Sequence, residues 1–144
     1  VKQLAADIRK SYDWCLIDAP AGLGQGFQMA ACMADQVVVI TTTDVSAMRD
    51  AQRTAMELSA FPTGTVHLVV GRVSKKVLRQ LHTTIDDAID AAGLPLLGVV
   101  PEDEDVPYCL NRGLVLREYN YYAARAYENI AKRIMGKKTP LMKI

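Results

Sequence analysis

Apolar positions along the chain fall into two alternating patterns. Four short, nearly continuous apolar runs, WCLI at 14–17, VVVI at 37–40, VHLVV at 66–70 and LLGVV at 96–100, have the length and composition of strands buried on both faces. The segments between them repeat with helical spacing. Leu4, Ala5, Ile8 and Tyr12 predict a helix ending near Ser11, and Phe27, Ala30, Ala31 and Met33 mark a small-residue helix over 25–34. Met48, Ala51, Ala55 and Leu58 share one face of a helix that Asp44 or Ser46 can cap, and Phe61, Pro62 and Gly64 break it. A further helix is predicted over 85–92, capped by Thr83 or Thr84 and stopped at Gly93. A short helix over 106–111, a turn or short strand over 113–116 and an amphipathic helix over 121–135, ended by Gly136, complete the chain. Strands alternating with helices imply an α/β fold: a three-layer, doubly wound parallel sheet with right-handed crossovers.

Composition narrows the class. The chain has 144 residues, 50% hydrophobic and 23% charged, with 17 Lys and Arg against 16 Asp and Glu. That is a globular composition, and a formal net charge of +1 argues against nucleic acid as a partner. Cys15, Cys32 and Cys109 are odd in number, widely spaced and without a CxxC pair, so neither a disulfide framework nor a zinc site is expected, and a reducing, cytoplasmic compartment is. No apolar run approaches the roughly 20 residues that span a bilayer, and the charged opening VKQLAADIRK is not a signal peptide. The chain opens on a helical pattern without Met, which reads as a cut inside a larger protein.

In a doubly wound sheet, ligands bind at the carboxyl ends of the strands. The residues there are 18–22 (DAPAG), 41–44 (TTTD), Gly71 with Arg72, and 101–105 (PEDED), each polar or glycine-bearing where an apolar run stops. They suit a polyanionic ligand with a metal ion. An aspartate at a strand end, such as Asp18, can hold the water shell of Mg²⁺, and the glycines that follow let backbone N–H groups approach a phosphate. The plainer reading is that Asp18 caps a turn which Pro20 and Gly22 shape. His67 and His82 read as a packed strand residue and a loop residue, and Cys15 as a small core residue.

Five ordered blocks then carry a resemblance: YDWCLIDAPAGLGQGF (12–27), ADQVVVITTTDVSAMRDAQR (34–53), GLPLLGVVPEDEDV (93–106), NRG (111–113) and AYENIAKRIMG (126–136). In order and spacing they resemble the C-terminal part of the septum-site-determining ATPases of the deviant P-loop, ParA/MinD-like family. The resemblance implies a P-loop NTPase type of sheet that here lacks its N-terminal P-loop strand and helix, with 1–136 as the C-terminal part of the ATPase domain and 137–144 as a flexible tail. It implies that Asp18 is the Walker B and switch II aspartate near Mg²⁺, and that Gly22 offers its N–H to the γ-phosphate. It also implies that Arg72, Pro101, Glu102 and Asp103 surround the adenine of ATP. The family usually carries Asn or Thr before this arginine; Gly71 stands here and brings no side-chain hydrogen bond. Asp44, Ser46, Arg49 and Asp50 lie in DVSAMRD, which resembles the helix start where family dimers engage MinC-like and MinE-like regulators; the same residues also suit a helix cap and a solvated face.

The family's KGGxGK[ST] loop and switch I aspartate do not occur in these residues. Phosphoryl transfer needs that cradle, so ATP and Mg²⁺ are expected in the intact protein and neither in this chain alone. The implied function is that of one part of a Mg-ATPase that places the division septum. A non-catalytic interaction module of the same family, or a flagellar-placement or partition relative, is the alternative. The intact protein is expected to be a cytoplasmic homodimer with peripheral inner-membrane contact. The tail KKTPLMKI (137–144) suggests such contact by composition but is too short, with Pro140, for a stable interfacial helix.

Overall fold

The computed structural model describes residues 2–61, 64–119, 121–142 and 144. Its chain forms two compact units, residues 1–37 and 38–144.

The first unit holds two helices. α1 (Lys2–Ser11) and α2 (Gln25–Ala31) flank irregular chain. Arg9 at the end of α1 grips the segment after α2: its Nη1 meets Asp35 Oδ1 at 2.8 Å and its Nη2 donates to Met33 O at 2.9 Å. Pro20 lies against α2, where a Cβ on Gly26 would come within 2.7 Å of Pro20 Cγ. The expected strand at 14–17 is not formed. Trp14 and Leu16 are exposed, Leu16 at 92%, and Cys15 is exposed rather than a core residue. The physical reason is that a strand apolar on both faces is stable only between neighbours that take its backbone hydrogen bonds and cover its side chains. Among the described residues no strand pairs with it. The α2 helix also stops at Ala31, short of the expected 34.

The second unit contains a three-stranded parallel sheet in the order β1 (Val37–Thr41), β2 (Val66–Val73), β3 (Leu96–Pro101). The three remaining apolar runs thus become strands. β2 and β3 pair in parallel with Leu68 opposite Leu96 and Val73 opposite Pro101, and the ladder shifts between Val70 and Val73. Leu68 and Val70 on β2 are fully buried, as a central strand's apolar run requires. α3 (Val45–Glu57) continues into a 3-10 turn at Leu58–Ala60, with Met48, Ala51 and Leu58 buried on the face that the spacing marked. It packs against α5 (Ile85–Ala92), whose Thr84 makes a full capping box with Asp87 and whose end Gly93 closes at φ +64°.

α8 (Tyr121–Ile134) lies along β3. Gly98 makes that approach possible, because a Cβ there would stand 2.3 Å from Ile130 Cγ1. Between α8 and the sheet, Val69, Leu97 and Val100 form a buried cluster with Ala126 of α8, against which Val38, Ile130, Ile134 and Met142 pack. α6 (Asp105–Arg112) buries Cys109, whose thiol burial and the nearby Asp105 and Asp103 push up in pKa. Two elements add to those expected. α7 (Leu116–Tyr119) is a helical turn that follows the turn at Gly113, and α4 (Lys75–Leu81) is a helix in a charged stretch for which no helix is predicted above.

Candidate functional site

β2 and β3 end side by side, and the loops leaving them carry the charged residues. At the end of β2, Arg72 takes a left-handed backbone, φ +52°, where an L side chain is disfavoured. Its guanidinium is 80% exposed and meets Glu102 Oε1 at 3.3 Å. Glu102 N in turn donates to Val73 O at 3.0 Å, which fixes the loop after β3 against β2. The structure therefore brings together Arg72, Pro101, Glu102 and Asp103. Asp103 is committed to the backbone: Oδ1 accepts from Asp105 N at 3.0 Å and Oδ2 from Ala123 N at 3.3 Å, so its carboxylate caps the start of α8.

At the end of β1, Thr41 and Thr43 are buried and Asp44 caps α3. Asp44 Oδ1 accepts from Ala47 N at 2.9 Å and from Ser46 Oγ at 2.7 Å, and Oδ2 accepts from Thr42 Oγ1. These bonds all favour the carboxylate and hold its pKa down at about 2, well below the usual carboxylate range, the Thr42 hydroxyl most strongly. Between the two candidate caps read from the sequence, the structure selects Asp44, and Ser46 serves as its partner. Arg49 and Asp50 stay on the exposed face with Val45, and Asp50 meets Arg53 at 3.9 Å.

The cap gives a stability prediction. A carboxyl with a depressed folded pKa contributes stability that is fully present above its unfolded value and fades as pH falls through the folded one. The Asp44→Ala protein is expected to unfold at lower urea, by about 1 kcal/mol at pH 7. Asp44→Asn keeps a capping oxygen, so it should lose less at pH 7 and should flatten the part of the acid decline that falls between about pH 4 and 2. Urea midpoints across that window check both; an Asp44→Ala midpoint equal to wild type would show that the cap contributes nothing.

Asp18 and Gly22 belong to the first unit. Asp18 is exposed in the irregular chain before α2, and Gly22 sits at φ +86°, a conformation that favours glycine. His67 is a half-buried residue of β2, and His82 ends α4 at φ +52°. Nothing in the residue pattern marks Arg72, rather than the neighbouring Gly71, as the left-handed position; the register shift in the ladder falls there. An open groove of about 480 Å³ lies elsewhere. Gln52, Met56, Phe61, Asp90 and Leu94 line it with Val66 and Pro95, at the opposite ends of β2 and β3. Strand-end chemistry, not cavity size, singles out the Arg72 crevice.

A sequence model described as 4Fe-4S iron sulfur cluster binding proteins, NifH/frxC family, matches residues 9–143. The chain belongs to this family. Within it, the similarity is to MinD proteins. The chain is 32% identical to the septum site-determining protein MinD of Synechocystis sp. over 146 aligned positions, covering 99% of this chain and 54% of that protein. It thus spans about half the length of that relative. In structure it matches the MinC:MinD cell division protein complex of Aquifex aeolicus at TM-score 0.88 and 28% identity, covering 98% of this chain and 60% of that one. A MinD from Pyrococcus horikoshii, complexed with Mg-ADP, shares the fold at TM-score 0.77 and 22% identity, covering 92% of this chain and 54% of that one. The sheet and its helices are those of the ParA/MinD-like P-loop NTPase fold.

The iron–sulfur cluster in the family's description does not fit this chain's residues. A cluster takes four thiolates, from one chain or shared between copies; here Cys109 is enclosed at 2% exposure, and Cys15 and Cys32 stand in separate stretches of the chain. Among the described residues no three His, Cys, Asp or Glu side chains gather to hold a metal ion. Magnesium beside a nucleotide asks less, because it commonly takes one or two carboxylates and fills its shell with water and phosphate oxygens. The exposed Asp18 suits that role, and the exposed guanidinium of Arg72 over a strand-end crevice suits a planar base. Among the described residues no helix is long and apolar enough to cross a membrane.

Proposed function

We propose that this chain supplies the switch II, adenine-binding and regulator-contact parts of a MinD-like Mg-ATPase that places the division septum. The observation that carries the reading is the crevice at the ends of β2 and β3, where Arg72 is held in a left-handed backbone beside Glu102 in a chain whose relatives are MinD proteins. Sites that keep such strain commonly use it. Arg72, Pro101, Glu102 and Asp103 would line the adenine, and Asp18 and Gly22 would stand at the metal and the γ-phosphate. Bound ATP and Mg²⁺ would supply the phosphoryl group and the charge neutralisation. The chain's own residues orient the base and close the crevice through the Asp103 contact to α8.

The same reading makes the α3 start a partner surface. The Asp44 side chain accepts three hydrogen bonds within its own loop, from Thr42, Ser46 and Ala47, while Val45, Arg49 and Asp50 are exposed at the helix start, the geometry a regulator can read. MinC-like and MinE-like proteins, a second copy of the ATPase and peripheral contact with the inner membrane are the partners this implies, with the 1–136 region as the ATPase part. A phosphate-release assay with Mg-ATP tests the proposal. The chain alone is expected to show no turnover, and the chain joined to a KGGxGK-bearing half is expected to show Mg-dependent turnover. Turnover by the chain alone, or none in the joined protein, would overturn it.

A further inference from the structure

Residues 136–142 fold back toward α8. Gly136, at φ +75°, ends α8 in the left-handed conformation, with Gly136 N donating to Arg133 O and Lys137 N to Lys132 O, both at 2.9 Å. That turn reverses the chain. Arg133 Nη1 then donates to Thr139 O at 2.8 Å while its Nη2 donates to Leu96 O, at the first residue of β3, at 3.2 Å. Asn129 Nδ2 reaches Pro140 O at 3.5 Å. Beyond Pro140, Met142 packs against the cluster of Val69, Leu97, Val100 and Ala126, as Ile130 and Ile134 do.

These contacts are of an unusual kind for a segment seated on a core. Among the described residues, the hydrogen bonds that tie 139 and 140 to α8 come from its side chains to backbone carbonyls, and neither belongs to a helix or strand ladder; Thr139 Oγ1 also donates to Lys137 O at 3.4 Å. Leu141 is 41% exposed and Lys137 and Lys138 face solvent. One guanidinium therefore joins the segment to the sheet, and one methionine seats it. Arg133 is only partly exposed, and its Nε is buried without a partner among the described residues, so the side chain is kept in place for the two carbonyls at some cost in desolvation. Charge-assisted bonds of this type are strong singly and are lost together when the donor moves.

We propose that residues 139–142 are a releasable strap across the α8–β3 core and that Arg133 is its latch. The strap opens as one unit while β2, β3 and α8 stay folded, and opening uncovers the apolar strip around Leu97, Ile130 and Ile134. Trypsin reads the opening, because Lys138 precedes the strap and cleavage after it requires several residues on each side to leave the surface. The test uses the full chain as wild type, Arg133→Gln and Met142→Ser, with the rate of cleavage after Lys138 followed by mass spectrometry and the fold followed by thermal melting. Arg133→Gln removes the latch, and Met142→Ser removes the seat without touching the Leu96 carbonyl. Both variants are expected to raise the cleavage rate at least fivefold with a cooperative melt retained. If Arg133→Gln does not fold, Met142→Ser decides alone. Wild-type cleavage as fast as that of a free peptide of the same sequence would overturn the proposal. So would unchanged cleavage in the folded variants, or opening that appears only together with loss of the whole melt.

Discussion

A Gly98→Ala chain should lose about 1–3 kcal/mol of stability, a large change for a site that gains only one methyl group. The added Cβ would fall 2.3 Å from Ile130 Cγ1 and 2.9 Å from its Cδ1. Ile130 cannot simply swing away, since a β-branched residue in a helix has essentially one χ1 rotamer. The remaining relief is a shift of α8 away from β3, which opens the cluster that Ala126 of α8 forms with Val69, Leu97 and Val100. The cause can be isolated by a double-mutant cycle. Ile130→Ala alone should cost about 2 kcal/mol by loss of packing, but in the double variant the new methyl occupies space that the isoleucine has left. The two changes should therefore fall short of additivity by at least about 1 kcal/mol. Strictly additive urea midpoints would mean that Gly98 is not there for close approach.

That same contact marks the boundary of what the residues disclose by themselves. The runs at 37–40, 66–70 and 96–100 announce strands because burial on both faces demands continuous apolar residues, and all three form. WCLI at 14–17 carries the same signal and does not form one, because a strand's stability resides in its neighbours, which a one-dimensional pattern does not contain. α4 escaped notice for the opposite reason. KKVLRQL has two half-buried positions, Val77 and Leu78, amid exposed cations, and Ser74 before it makes no side-chain cap. Caps were more legible: Asp44, Thr84 and Gly93 are short-range devices, and the structure uses each. Of the candidate site, the residue pattern shows polar residue types at strand ends, Arg72 after β2 and Glu102 after β3 among them, and the structure sets these two 3.3 Å apart. The backbone conformation is not in that pattern, because next to a glycine the positive φ would be assigned to Gly71. The reversal after Gly136 is likewise a tertiary choice, made by Arg133 from a helix and by Met142 on a core, in a stretch whose composition reads as a tail.

The left-handed backbone at Arg72 separates its conformational role from its chemical one. Ordinarily alanine is the better residue in regular structure and glycine costs about 0.5–1 kcal/mol more. At φ +52° the order should invert, because alanine keeps a strain of roughly 1–2 kcal/mol that glycine does not feel. Arg72→Gly is therefore expected to be at least as stable as wild type and about 1 kcal/mol more stable than Arg72→Ala, with the exposed pair to Glu102 adding little in either case. Binding should behave differently. In a protein that joins this chain to a KGGxGK-bearing half, both variants should bind ATP about tenfold more weakly, the size of a desolvated guanidinium–base contact, while their affinity for inorganic triphosphate stays at the wild-type level. Isothermal titration with the two ligands distinguishes the outcomes. Equal losses for ATP and triphosphate would place Arg72 at the phosphates or in the fold rather than at the base, and unchanged ATP affinity would remove it from the site. A guanidinium kept on a strained backbone, when glycine there would be no less stable, is explained if the strain aims that side chain across the ends of β2 and β3 at a ligand.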